Sequence, residues 1–289
     1  MSETDSLHAR GAEGAIGLFD SGVGGLSVVR ALLAELPREL IRYVADSANC
    51  PYGSRSADEI RALSAGIVRY LVAAGCKLIV VACNTASAAA LAYLRQTFPE
   101  TPFVGMVPAV KPAAQLTRTG VVGVLATPVT FSGALYEEVV SHYGRSLRVL
   151  SRACPGLVER IEQGDLDSPA LSALLRGCVD PMLAAGADTL VLGCTHYPFI
   201  APTLQRLVGE GVRILEPSAA VARQTVRVLE RNGLARTASE HTQCVPPTRL
   251  YLTTGATAPF AAVLARLVGA EDAGEVRALV WRDGFLQEP

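Results

Sequence analysis

Residues 77–98 read KLIVVACNTASAAALAYLRQTF. After Lys77, Leu78 to Ala82 run apolar without alternation, the pattern of a strand covered on both faces. Cys83, Asn84 and Thr85 follow, and a helical pattern continues to Phe98. A second stretch, TLVLGCTHYPFIAPTLQRLV (189–208), repeats the layout: apolar strand, Cys194, polar residues, helix. The repeat lies in the pattern, not in the letters. It predicts two similar α/β halves facing each other.

Reading outward from these stretches, AIGLF (15–19), LIRYVA (40–45) and GVVGVLA (120–126) are further strands. ADEIRALSAGIVRYLVAAG (57–75) is a long amphipathic helix. RILEP leads into AVARQTVRVLERNG, and TRLYLTT into APFAAVLARLVG. Apolar strands between helices imply mostly parallel sheets flanked by helices, the α/β class. Residues 232–248 read as a polar, Pro-containing connection, and the first residues as a loose tail.

The composition narrows the chemistry. The chain has 289 residues, enough for two domains, and a net charge of -1 with both signs spread along it. No basic block marks a nucleic-acid surface. No apolar run reaches the length of a membrane span, and the N-terminus lacks an apolar signal core, so a soluble cytoplasmic protein is expected. Seven cysteines, an odd count, speak against a disulfide framework, and without a Cys-x-x-Cys pair no structural zinc site is expected. Cys50, Cys76, Cys154, Cys178 and Cys244 read as structural or incidental.

Cys83 and Cys194 stand apart, because each ends an apolar strand. In open parallel sheets, ligands bind in the crevice at the carboxyl ends of the strands. A thiol there, beside the amides of a following helix, is expected to titrate below its free value of about 8.5, and the same amides can hold a carboxylate. Asn84, Thr85 and Thr195 favour helix starts. The alternative for either cysteine alone is packing, since free cysteine is commonly buried.

In LFDSGVGGLSVV, Asp20 ends a strand before a glycine loop. Gly22 and Gly24 fit G-x-G, but Ser27 stands where a dinucleotide fingerprint needs its third glycine. Asp20 reads either as a cap or as a proton acceptor in the crevice, with loop amides near Ser21 suited to a carboxylate. In NCPYG, Pro51 and Gly53 shape a turn, and Tyr52 reads as a lid or, more simply, as a packing ring. Thr127 and Thr130 read as ligand contacts or helix caps. His196 reads as a core histidine or, beside Cys194, as an acid/base group. Glu162 alone reads as a solvated helix residue.

Taken together, FDSGVGGLSV (19–28), D..NCPYG (46–53), ACNTASA (82–88), LATPVT (125–130), ACPGLVERIE (153–162) and GCTHYP (193–198) resemble the glutamate racemases of the cofactor-independent amino-acid racemase superfamily. The motifs occur in family order and span nearly the whole chain from about residue 14. In YLTTGAT, Ala256 departs from the acidic residue the family often carries.

The resemblance implies two pseudo-symmetric lobes, 1–107 with 218–289 and 108–217, and an active site in the crevice between them. It implies two thiols acting from opposite faces of the α-carbon without a cofactor or metal. Cys83 serves D-glutamate and Cys194 L-glutamate. Asp20 assists the first; His196, with Glu162 behind it, assists the second. Ser21, Asn84, Thr85 and Thr195 hold the substrate, and Pro51, Tyr52, Gly53, Thr127 and Thr130 line the pocket. D-Glutamate for peptidoglycan and a homodimer are also implied, with no nucleic-acid or membrane partner. Lys77, at the start of a strand, and Lys111, beside Pro112, are poorly placed for a Schiff base.

Three rivals make different demands. An aspartate racemase of this superfamily typically carries Glu where GCTH has His196. A thiol hydrolase needs one cysteine and His196 as its base. A binding module needs neither thiol to react.

Overall fold

The computed structural model describes residues 11–144, 147–236 and 249–289. The strands in chain order are β1 (Ala15–Asp20), β2 (Ile41–Ala45), β3 (Cys76–Val81), β4 (Phe103–Val104), β5 (Val121–Ala126), β6 (Arg148–Arg152), β7 (Thr189–Gly193), β8 (Arg213–Leu215), β9 (Arg249–Thr253) and β10 (Glu275–Ala278). A short antiparallel hairpin of β11 (Val280–Arg282) and β12 (Phe285–Gln287) ends the chain.

Among the described residues these strands form two parallel sheets, β10-β9-β2-β1-β3-β4 and β6-β5-β7-β8. The order β2-β1-β3-β4 is repeated as β6-β5-β7-β8, which is the pseudo-symmetry expected from the strand–Cys repeat. Under this match β3 corresponds to β7, and Cys83 to Cys194. The strand order reverses at β1/β3 and at β5/β7, where crevices open at the carboxyl ends. Both thiols therefore stand at switch points, one per sheet.

The helices cover these sheets. They are α1 (Leu26–Glu35), α2 (Ala57–Ala73), α3 (Asn84–Thr97), α4 (Val110–Leu116), α5 (Pro128–Phe131), α6 (Ala134–Tyr143), α7 (Leu157–Glu162), α8 (Pro169–Ala184), α9 (Ala201–Val208), α10 (Ser218–Arg231) and α11 (Thr257–Val268). β3 and β7 are buried throughout, as their unbroken apolar runs require. The start of α2 is set by a capping box: Glu59 N–H donates to Ser56 Oγ at 3.3 Å, and Ser56 N–H to Glu59 Oε2 at 2.9 Å. None of the described helices is long and apolar enough to cross a membrane. Lys77 starts β3 at the edge opposite the crevice, where its Nζ donates to Glu39 Oε2 at 2.6 Å.

Two details depart from the sequence reading. Cys154 and Cys178 are paired as a disulfide, their Cα atoms 6.1 Å apart, because the loop before α7 folds against α8. Strand β6 went unread, since an edge strand exposed at both ends carries no clean apolar alternation. Most of the 232–248 connection and the N-terminal tail lie outside the described residues.

Ala256 is the N-cap residue of α11 and supplies no side-chain cap. It is exposed, with extended backbone, the geometry in which Asp or Ser accepts a bond from the first-turn amides. Ala256→Asp is expected to stabilise the protein by about 1 kcal/mol. Urea unfolding measures it; an unchanged midpoint shows that the end of α11 contributes nothing to the cooperative fold.

Candidate active site

Asp20 ends β1 with no exposed surface. Its carboxylate accepts the Ser21 amide at 2.7 Å, the Gly25 amide at 2.6 Å and, from the other sheet, the Thr195 hydroxyl at 3.1 Å. Gly24 permits this closure: a Cβ there would lie 2.5 Å from His196 Nδ1 and 2.7 Å from Asp20 Oδ2. The glycine loop is thus a contact surface between the two sheets rather than a nucleotide cradle.

Cys83 follows β3, is 4 % exposed, and is the N-cap of α3, its sulfur accepting the Ala86 amide at 3.4 Å. The expected lowering of its pKa is not found. Burial, and then the negative charge of Asp20, push the thiol well up, outweighing the one amide. Burial likewise raises Asp20, against the opposing pull of the His196 charge and of bonds from Cys83 and Ser21.

Cys194 follows β7 and is 6 % exposed. Sequence reading placed it at a helix start, but a turn and a 3-10 segment, Tyr197–Ile200, intervene before α9 begins at Ala201. Its neighbour is a side chain instead: Cys194 Sγ lies 3.7 Å from His196 Nδ1. The other ring nitrogen, Nε2, lies 2.5 Å from Glu162 Oε1. Glu162, at the end of α7, also accepts the Val23 amide from the glycine loop at 2.8 Å. Burial works against charge on His196, but its bonds to Cys194, Cys50 and Glu162 hold the imidazole well above its usual range. Burial would raise Glu162, yet the His196 bond and charge and the Val23 amide keep it below the usual carboxylate range.

Two thiols thus stand at the matched ends of two sheets, one beside a carboxylate and one beside an imidazole–carboxylate pair. Around them, Asn84 is buried with neither its Nδ2 nor its Oδ1 satisfied within the protein. Each such atom costs about 1–3 kcal/mol, so the amide is poised for a ligand. Thr85 reaches across to Thr127 at 3.0 Å, and Thr127, which caps α5, contacts Thr130 of the same turn at 2.9 Å. Ser21 is buried beside Asp20. A cavity of about 290 Å³ opens alongside, lined by Pro51, Gly53, Thr127 and Tyr197 among others.

Tyr52 turns away from that cavity; its ring is in the core and its hydroxyl donates to Asp46 Oδ2 at 2.7 Å. Sequence reading placed Asp46 in a motif but gave it no role. It is fully buried and also accepts from Asn49, from Thr254 at 2.9 Å and from Trp281 at 2.8 Å, so it anchors the loop that carries Pro51 and Gly53. Cys50 was read as structural or incidental, but its sulfur lies 3.7 Å from Glu162 Oε1, the oxygen that faces His196.

Buried thiols with acid/base partners, in a crevice between paired parallel sheets, define the class of amino-acid racemases that work on the α-proton. Residues 16–225 match the Asp/Glu/Hydantoin racemase family, to which the chain belongs. Within it, the chain belongs to the glutamate racemases. It is 58 % identical to the glutamate racemase of Roseiflexus sp. (strain RS-1) over 221 residues, 76 % of this chain and 81 % of that one. The crystal structure of a glutamate racemase from Bacillus anthracis superposes with a TM-score of 0.81 at 31 % identity, covering 94 % of this chain and 98 % of that one. The Escherichia coli glutamate racemase, solved with L-glutamate and the activator UDP-MurNAc-ala, superposes at 0.78 and 32 % identity, covering 92 % and 98 %.

Since Glu162 adds its bond and charge to the bonds from Cys194 and Cys50 that raise His196, Glu162→Gln is expected to lower the pKa of His196. Titration of the ring by NMR reads this directly. An unmoved ring would mean that Glu162 only bridges to Val23.

Proposed function

We propose that the protein interconverts L- and D-glutamate by two-thiol proton transfer. A thiolate takes the α-proton from one face, so that C–H breaks and S–H forms. The opposite thiol then gives its proton to the other face of the carbanion. Cys194 acts on L-glutamate, with His196 and Glu162 managing its proton, and Cys83 acts on D-glutamate beside Asp20. The observation that carries this reading is the pairing of two buried thiols at matched strand ends, each with its own acid/base partner.

The rest of the site follows from the substrate's charges. The α-ammonium suits the side of Asp20, where its positive charge offsets the carboxylate that adds to burial in raising Cys83. Asn84, Ser21, Thr85 and Thr195 offer amide and hydroxyl donors for the carboxylates, and Thr127, Thr130, Pro51 and Gly53 shape the side-chain end. With both thiols buried, the substrate enters by parting of the lobes, 1–107 with 218–289 and 108–217, and closure excludes water. The glutamate found in the Escherichia coli relative supports the substrate. D-Glutamate supplied to peptidoglycan, a cytoplasmic setting and a homodimer belong to the same reading.

The test is incubation with L-glutamate in D2O under reducing conditions. Wild type is expected to racemise it with deuterium at the α-carbon, and Cys83→Ser and Cys194→Ser each to lose activity by at least about 100-fold, the scale of a proton-transfer group. Retention of activity by either variant would sink the two-thiol mechanism, and racemisation of aspartate alone would sink the substrate.

A further inference from the structure

The reaction as derived has no use for Cys50, yet this thiol stands in the site. It comes from the loop after β2, Glu162 from the end of α7 and His196 from the turn after β7. One ligand atom from each, the Cys50 sulfur, a Glu162 oxygen and a His196 nitrogen, all lie within 4.8 Å of one another. Cys50 Sγ to Glu162 Oε1 is 3.7 Å, and Glu162 Oε1 to His196 Nε2 is 2.5 Å. Sulfur, nitrogen and oxygen around one point are the donor set of zinc.

We propose that Cys50, Glu162 and His196 bind a thiophilic divalent cation of the Zn2+ type, and that its binding switches the active site off. The second half rests on the reading of His196 as the proton partner of Cys194.

The geometry needs little adjustment. Ligand atoms about 2.0–2.3 Å from a tetrahedral metal stand roughly 3.2–3.6 Å apart. The sulfur–oxygen separation is already close to that, and the imidazole and carboxylate need part by less than about 1 Å. Ser21 Oγ, 3.9 Å from Cys50 Sγ, or a water is left for the fourth position. Second-sphere contacts are also in place: Val23 N–H orients Glu162, and Cys194 faces the free side of the ring.

Binding would displace protons from the ligands: the Cys50 thiol gives one up as it becomes a thiolate, and the ring gives up any proton on the nitrogen that takes the metal. Glu162, with 22 % of its side chain exposed, gives the entry side.

The consequence for catalysis follows from the two ring nitrogens. A metal on Nε2 fixes the only ring proton on Nδ1, facing Cys194, and cuts the ring off from Glu162. The proton that Cys194 must exchange then has no route onward.

The test uses reduced, metal-free, full-length protein titrated with Co2+ and then Zn2+, alongside Cys50→Ser and Cys50→Ala. Wild type is expected to bind one Co2+ with a thiolate charge-transfer band of single-thiolate intensity, displaced by Zn2+. Zn2+ is expected to inhibit racemisation over the same concentrations, reversed by EDTA. Both Cys50 variants, each compared with its own metal-free rate, are expected to lose the band and to need at least about 10-fold more Zn2+ for half-inhibition. Inhibition of the variants at wild-type concentrations, or a band that persists in them and vanishes in Cys83→Ser or Cys194→Ser, overturns the site by placing the cation between the catalytic thiols. Absence of a thiolate band overturns it as well. A protein that shows the band but never racemises an amino acid keeps the metal site and loses the racemase reading, so the two fail separately.

Discussion

A carboxylate with no exposed surface lies where the two sheets meet, and the site is organised around its burial. Asp20 is tolerated there because two amides of its own loop and the Thr195 hydroxyl from the other sheet bond to it. Removing a charge from water costs several kcal/mol unless its acceptor sites are filled. The loop must therefore turn its amides inward, and Gly24 must leave room for Thr195 and His196 to press against it. The contact that satisfies the carboxylate is also the contact that brings the two thiols to one crevice.

A second buried link crosses the same boundary. Glu162 from α7 takes the Val23 amide of the glycine loop with the same oxygen that faces His196. In the proposed parting of the lobes this bond and the Thr195–Asp20 bond would break, and closing would restore both. Each acid/base partner would then be fully assembled only in the closed form, coupling the proposed proton chemistry to exclusion of water.

How much of this could be read from the chain depends on which interactions are local. The unbroken apolar runs of 78–82 and 189–193 state their own burial, so the paired sheets and the strand-end cysteines were legible. Asp46 was not, because its partners Thr254 and Trp281 arrive from more than 200 residues away. Cys50 was hidden for the same reason: its neighbour Glu162 stands on the other sheet's side of the crevice. The expected lowering of the Cys83 pKa failed because the local amide could be anticipated, while total burial beside Asp20 could not.

That failure bears on the proton transfer from two faces proposed for this symmetric fold. Matched strands place the two thiols alike, but their partners differ: a raised carboxyl beside Cys83, a charged imidazole backed by Glu162 beside Cys194. Transfer across an α-carbon requires one thiolate and one thiol at any moment, and identical surroundings would set no preference between the two arrangements. Burial, and then the charge of Asp20, oppose a thiolate at Cys83, and in the proposed reaction an amino acid's ammonium would offset the Asp20 charge. In that reading substrate binding, rather than the resting protein, favours the base on that side.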